Sequence, residues 1–279
     1  HGGVFLDIAW IKEKLPKATE HIKRKLPSMY HQFKELAGID ITAEAMEVGP
    51  TTHYVMGGIR VDPDTQMSSV PGLFAAGECA AGLHGANRLG GNSLSDLLVF
   101  GRRAGKYAAE FSNNHGIGKA PEDAIEECDL QLSVPLDDQG SSNSISPYKI
   151  QMELQDLMQD KVGIVREEET LSEATDTIRE LSAKIGQIRV TGGRHFNPGW
   201  HTSLDLKHLL TVAEACAHAA LTRRESRGAH SRIDYPDKDE DWGKHSIVLR
   251  KGLDGNMEIV KDPLAPIPDK LLNIIEEQG

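Results

Sequence analysis

The chain has 279 residues, 39% hydrophobic and 26% charged, enough to bury a sizeable core and build two or three structural units. Its formal net charge of -11 argues against nucleic acid and leaves no basic patch for an anionic membrane, so any cationic site must be local. No apolar stretch approaches the length of a membrane span and the start lacks a secretory pattern, while the spacing of Cys79, Cys128 and Cys216 supports neither a disulfide framework nor a metal site.

In chain order, Ile11, Leu15, Ile22, Leu26, Tyr30 and Phe33 suggest helices broken at Pro16 and Pro27. A hinge follows over residues 47–52. Ile59 to Thr65 has the pattern of an edge strand running into a turn. Leu73-Phe74-Ala75-Ala76 is a short apolar run closed by Gly77, the pattern of a buried strand ending in a sharp turn. Glu78 then stands at the carboxyl end of that strand, where open α/β sheets place their ligands. The segment Asn87 to Asn92 holds three polar side chains among small residues, which lets the backbone approach a ligand closely. Asn92 or Ser93 is expected to cap a helix from about Leu94 to about Phe111, with Leu94, Leu97, Leu98, Gly101, Ala104, Gly105 and Ala108 on one face. The amino end of such a helix suits an electron-rich ring or a carboxylate.

Residues 113 to 147, rich in Asn, Gly, Pro, Asp and Ser, are expected to form a linker region with room for one helix, including the polar run from Asp137 to Ser144. Three helical stripes come next. The first holds Ile150, Leu154, Leu157 and Met158; the second holds Leu171, Ala174, Ile178, Leu181 and Ile185. Thr170 and Glu173 form a capping-box signal for the second helix. A third helix over residues 204–224 would turn Leu209, Leu210, Ala213, Ala217, Ala220 and Leu221 inward and complete a small antiparallel bundle. After the bundle, Arg223 to Arg232 carries several cationic side chains, read as salt-bridged packing with Asp234, Asp237 and Asp239. Ser246 to Arg250 and Met257 to Val260 flank a turn and predict a β-hairpin, followed by an extended arm and a short helix.

Three motifs together carry a resemblance. Pro50-Thr51-Thr52-His53-Tyr54-Val55-Met56-Gly57-Gly58-Ile59, the Gly77-Glu78 pair, and His84-Gly85-Ala86-Asn87-Arg88-Leu89-Gly90-Gly91-Asn92-Ser93-Leu94 are similar in order and spacing to the flavoprotein subunit of succinate dehydrogenase and fumarate reductase. Glu225-Ser226-Arg227-Gly228-Ala229-His230 resembles the same family. The resemblance implies an α/β part of an FAD-binding domain, the strand-loop-helix end of a Rossmann-like flavin domain, plus an all-α three-helix bundle and a small C-terminal hairpin. It divides the chain into the end of a capping domain (1–49), the C-terminal part of the FAD-binding domain (50–125), a linker and helical bundle domain (126–232), and a C-terminal hairpin and arm (233–279).

By the same resemblance, His53 and Arg88 hold the substrate carboxylates, and Glu78 with the backbone of Ser93 and Leu94 contacts FAD. The implied reaction oxidises succinate to fumarate, or the reverse, and passes electrons to an iron-sulfur subunit. That assembly would lie at the cytoplasmic face of the membrane, held by anchor subunits and without a span from this chain. The family's Gly-x-Gly-x-x-Gly fingerprint, its flavin-linked histidine and its proton-relaying arginine have no counterpart here. The residues therefore correspond to about the carboxyl-terminal half of the family's polypeptide, which alone is expected to hold flavin weakly and to be inactive. One alternative is L-aspartate oxidase, which typically continues Ala-Ser-Asn-Ser-Leu-Leu-Glu where this chain has Gly90-Gly91-Asn92-Ser93-Leu94-Ser95-Asp96. The other is an interaction module without chemistry of its own.

Overall fold

The computed structural model describes residues 3–49, 53–116, 118–136 and 144–278, and divides into two compact units, His1–His53 and Tyr54–Gly279. The expected hinge residues 50–52 and most of the polar run 137–144 lie outside the described residues.

In the first unit, strands β1 (Val4–Leu6) and β2 (Met46–Val48) pair antiparallel. Between them lie a short 3-10 turn, α1 (Ala18–Lys25), α2 (Pro27–Gln32) and a π turn over Phe33–Ala37. The interruptions fall where proline dictates. Pro27 occupies the first turn of α2, where its missing N–H costs nothing. Ile22, Ile41 and Met46 are buried at the centre of this unit, with Tyr30 and Phe33 packed around them.

The second unit opens with an irregular segment, residues 54–91, that leads into α3 (Asn92–His115). Two sequence expectations fail here. Leu73 to Ala76 forms no strand, only an isolated bridge from Phe74 to Met67, and Ile59 and Val61 likewise make single bridges. A strand persists only where consecutive residues pair with a neighbour, and here each pairing among the described residues stops after a single bridge. Neither Asn92 nor Ser93 caps α3, because both lie inside it. Its N-cap is Gly91, at φ 86, a left-handed conformation that glycine adopts without strain.

Next come α4 (Glu122–Ser133), α5 (Pro147–Lys161), α6 (Glu168–Ala183) and α7 (Pro198–Thr222). Helices α5, α6 and α7 pack on one another over a single apolar core that includes Ile150, Leu154, Leu171, Ile178, Leu206 and Leu210. The expected stripes are the ones buried, with one correction in α7. Leu206 is buried there, and Leu209, expected inside, is exposed. The capping-box reading of α6 also shifts. The helix begins at Glu168, so Thr170 sits in its first turn, donating its hydroxyl to Glu167 O, and Asp234 accepts the Glu168 N–H at 2.9 Å. Helix α7 is capped as physics prefers, since the Asn197 side chain accepts the Trp200 N–H at 3.1 Å.

Strands β3 (Val165–Arg166) and β4 (Ser231–Arg232) make a two-residue parallel pair. The expected hairpin is present as β5 (His245–Lys251) and β6 (Met257–Pro263), and α8 (Asp269–Gln278) ends the chain. No helix among the described residues is long and apolar enough to cross a membrane.

Candidate functional site

The irregular segment is held to itself by backbone before any side chain acts. Ile59 donates to Cys79 O at 2.7 Å and Ala81 donates to Ile59 O at 2.9 Å, which ties the Met-Gly-Gly-Ile stretch to the Gly-Glu-Cys turn. The approach is close enough to demand glycine. A Cβ on Gly58 would stand 2.4 Å from Cys79 O. The Glu78 carboxylate reinforces the same join by accepting the Val55 N–H at 3.0 Å. Glu78 is exposed, as is Cys79, whose thiol donates to Ala76 O.

Beside that join lies a polar cluster drawn from three places in the sequence. Asp96, the buried residue of α3, accepts the Tyr54 hydroxyl at 3.1 Å, and His84 Nε2 lies 3.1 Å from the same Oδ2. The His84 and Asp96 side chains are only 8% and 5% exposed, so the pair is desolvated and each needs the other. Tyr54 and His84 also meet edge to face, their rings 5.4 Å apart. Burial, followed by the Asp96 carboxylate, pushes the Tyr54 hydroxyl above its ordinary pKa, so it remains a donor.

Arg88 stands over this cluster. Its guanidinium lies 4.6 Å from the centre of the Tyr54 ring, a cation on a π face. Yet Arg88 Nε is buried and has no hydrogen-bond partner among the described residues. Arg189 Nε shares that condition, but another nitrogen of Arg189 donates to Gly186 O and Ile188 O. No protein acceptor within the described residues meets the Arg88 guanidinium. A half-buried guanidinium stacked on an aromatic ring and short of acceptors is prepared for an anion, and its planar fork matches a carboxylate.

The start of α3 provides the other element. Ser93 is half-buried, and Leu94, Leu97 and Leu98 are exposed, Leu98 at 75%. The face expected to pack within the fold is therefore turned outward. Gly91 has no side chain to cap the first helical N–H groups, and a Cβ at Gly57, Gly90 or Gly91 would meet nothing within 4 Å. This surface combines bare backbone donors with apolar side chains. His53 is exposed at the end of the first unit. Of the expected site residues, Glu78, Arg88, Ser93 and Leu94 fall within the second unit.

The sequence pattern assigned no role to Tyr54, His84 or Asp96, although all three lie inside or beside the quoted motifs. Asp96 did carry a signal, because it places a carboxylate among Leu94, Leu97 and Leu98 on an otherwise apolar stretch. Among the described residues, no group of His, Cys, Asp and Glu could hold a metal ion.

Residues 10–94 match an FAD binding domain family, and residues 151–268 match a family described as fumarate reductase flavoprotein C-term. A fumarate reductase (CoM/CoB) subunit of Methanothermobacter marburgensis is 39% identical over 256 residues, covering 91% of this chain and 44% of that protein. The fumarate reductase flavoprotein subunit of Escherichia coli is 37% identical, covering 88% of this chain and 40% of that one. The solved structure of Mycobacterium smegmatis Sdh1 in complex with UQ1 superposes with a TM-score of 0.85 at 49% identity, over 99% of this chain and 46% of that one. The chain thus spans less than half the length of each of these three proteins.

Proposed function

The chain belongs to the fumarate reductase and succinate dehydrogenase flavoprotein family, and on that premise we propose that it supplies the dicarboxylate clamp and one wall of the flavin site of an enzyme interconverting succinate and fumarate. The observation that carries this reading is the buried Arg88 Nε without a partner, on a guanidinium stacked over Tyr54. A substrate carboxylate bound there in the bidentate manner would satisfy the orphaned donor and set the orientation of the carbon skeleton. The role of His53, which belongs to the first unit, rests on the family resemblance alone. Tyr54, held by Asp96, supports the arginine from below.

FAD fits the residues at the start of α3. Uncapped N–H groups at Ser93 and Leu94 offer donors to an electron-rich ring edge, and the exposed leucines and open glycines allow a flat ring to lie close. Bound there, FAD would supply hydride acceptance from a substrate methylene, or hydride donation in reverse. Glu78 completes the cofactor contacts in this reading. The chain's own part is to bind, to orient and to offer a partial positive charge where the reduced cofactor gains electrons. Electrons would leave to an iron-sulfur subunit, with membrane anchor subunits holding the assembly at the cytoplasmic face.

Replacing Arg88 in a full-length flavoprotein that carries these residues tests the reading. Arg88→Lys keeps the charge and loses the fork, so succinate-dependent dye reduction should fall by about two orders of magnitude while flavin content per polypeptide stays near that of the parent. Activity that survives the change removes Arg88 from the clamp.

A further inference from the structure

The loop that presents Arg88 is also gripped from behind by a turn far along the chain. Residues Arg227 to His230 close on themselves, with Arg227 N–H donating to His230 O at 2.8 Å and His230 N–H donating to Arg227 O at 3.1 Å. At the tip of this turn, Ala229 N–H donates to Ala86 O at 3.0 Å. Gly228 has φ 60, and a Cβ there would stand 2.3 Å from Ala86 O. Glycine is therefore required twice over, for the left-handed backbone and for the approach. Ala86 lies two residues before Arg88.

The turn is not free to follow the loop. Arg227 makes a two-pronged bond to Glu225, at 2.8 and 2.9 Å, and donates to Asp239 O. Glu225 is fully buried and also accepts from Arg223 at 2.6 Å and from the Asp239 N–H at 2.9 Å. His230 is fixed on its other side, with Nδ1 2.8 Å from Arg166 and Nε2 3.1 Å from Arg223 O. A network this closed offers a rigid anchor, as a functional side chain requires.

We infer that the Arg227–His230 turn is a positioning element for Arg88, setting the height of the guanidinium over Tyr54 through the Ala86 carbonyl. The loop is then pinned at two points, His84 by Asp96 and Ala86 by Ala229, and Arg88 follows immediately after them. An arginine displaced by a fraction of an ångström would still carry its charge but would meet a carboxylate poorly. This inference rests on the reading of Arg88 as the carboxylate clamp.

The test uses the full-length flavoprotein carrying these residues. Malonate affinity is read from the flavin spectrum, and the KM for dicarboxylate is measured per bound flavin. Gly228→Ala should weaken malonate binding and raise KM by about tenfold or more, with flavin content retained. Arg227→Gln, which loosens the turn without adding a Cβ, should shift both in the same direction by about threefold and keeps the inference testable if Gly228→Ala does not accumulate. Ile178→Ala, in the bundle core, serves as the comparison for general destabilisation and should lower the melting temperature without changing malonate affinity. Unchanged malonate affinity in either turn variant, or an effect matched by Ile178→Ala, overturns the inference. If Arg88→Lys also binds malonate normally, the clamp reading falls with it; if only the turn variants bind normally, the clamp stands and the positioning role fails.

Discussion

The helical bundle and the segment from Tyr54 to the start of α3 use the same vocabulary, leucine and alanine at helical spacing with a few polar residues among them, and end in opposite conditions. In the bundle, Leu171, Ile178, Leu181, Leu206 and Leu210 are at most 2% exposed. Along α3, Leu94, Leu97 and Leu98 face outward, and Arg88 nearby has a buried donor with no acceptor among the described residues. Even the buried charges differ. Arg232 donates to Asp234 and to backbone carbonyls of α7, whereas the half-buried Arg88 meets only an aromatic face among the described residues. A region that covers its apolar side chains and pairs its buried charges is stable scaffold, and a region that leaves apolar surface and a guanidinium unmatched is prepared for contact with something else.

Substitutions can break or sharpen that contrast. Arg88→Lys should have the largest effect on function, a loss of turnover of about a hundredfold, with little change in melting temperature because the side chain makes no hydrogen bond among the described residues and lysine keeps a cation near the Tyr54 ring. Leu206→Ala should do the reverse. Emptying a fully buried position in the bundle should cost about 3 kcal/mol of stability by denaturant titration, with dicarboxylate affinity unchanged in the folded fraction.

Acid should also separate the two regions. Burial alone would raise the Glu225 carboxyl, but hydrogen bonds from Arg227, Asp239 N–H and Arg223 outweigh it and hold its pKa at about 2. The Arg232 hydrogen bond holds Asp234 at about 2 as well. Both carboxyls titrate lower in the fold than in the open chain, so their stabilisation is fully present above an ordinary Glu value of 4.5 and is lost as pH falls toward about 2. For Glu225 this amounts to roughly 3 kcal/mol at neutral pH. Glu225→Gln should flatten that acid limb in a pH series of denaturant melts, and an unchanged limb would contradict the assignment.

A smaller effect is expected from Tyr54→Phe, which keeps the ring under Arg88 and loses the hydroxyl bonded to Asp96. About 1 kcal/mol should appear as weaker dicarboxylate binding, a few-fold in KM, with flavin content retained. The smallest belongs to Leu98→Ser, which should change the melting of this chain by less than about 0.5 kcal/mol, since a residue already 75% exposed gives up no packing.

The contrast also explains what was legible in the sequence. Bundle helices announce themselves because a 3.6-residue period and burial agree, and only the exact starts of α6 and α7 and the place of Leu209 had to be corrected. The hairpin was readable for a similar reason, its two strands being adjacent in the chain. The strand expected over Leu73 to Ala76 was not formed, because an apolar run becomes a strand only where neighbours exist to pair with it. Arg88 stood out through its motif. Its support did not, since Tyr54, His84 and Asp96 are separated by 30 and 12 residues and no local period connects them. The grip of Ala229 on Ala86 spans more of the chain still, and although the motif from Glu225 to His230 stood out, no local period connects it to the Arg88 loop.

On the proposed reading, Arg88 lacks an acceptor among the described residues because a substrate carboxylate is its partner. Malonate titration of the flavin spectrum, comparing the parent full-length flavoprotein with its Arg88→Lys variant at equal flavin content, tests this most directly. Affinity weakened by about a hundredfold is the expected result, and equal affinity in the two proteins would contradict the account.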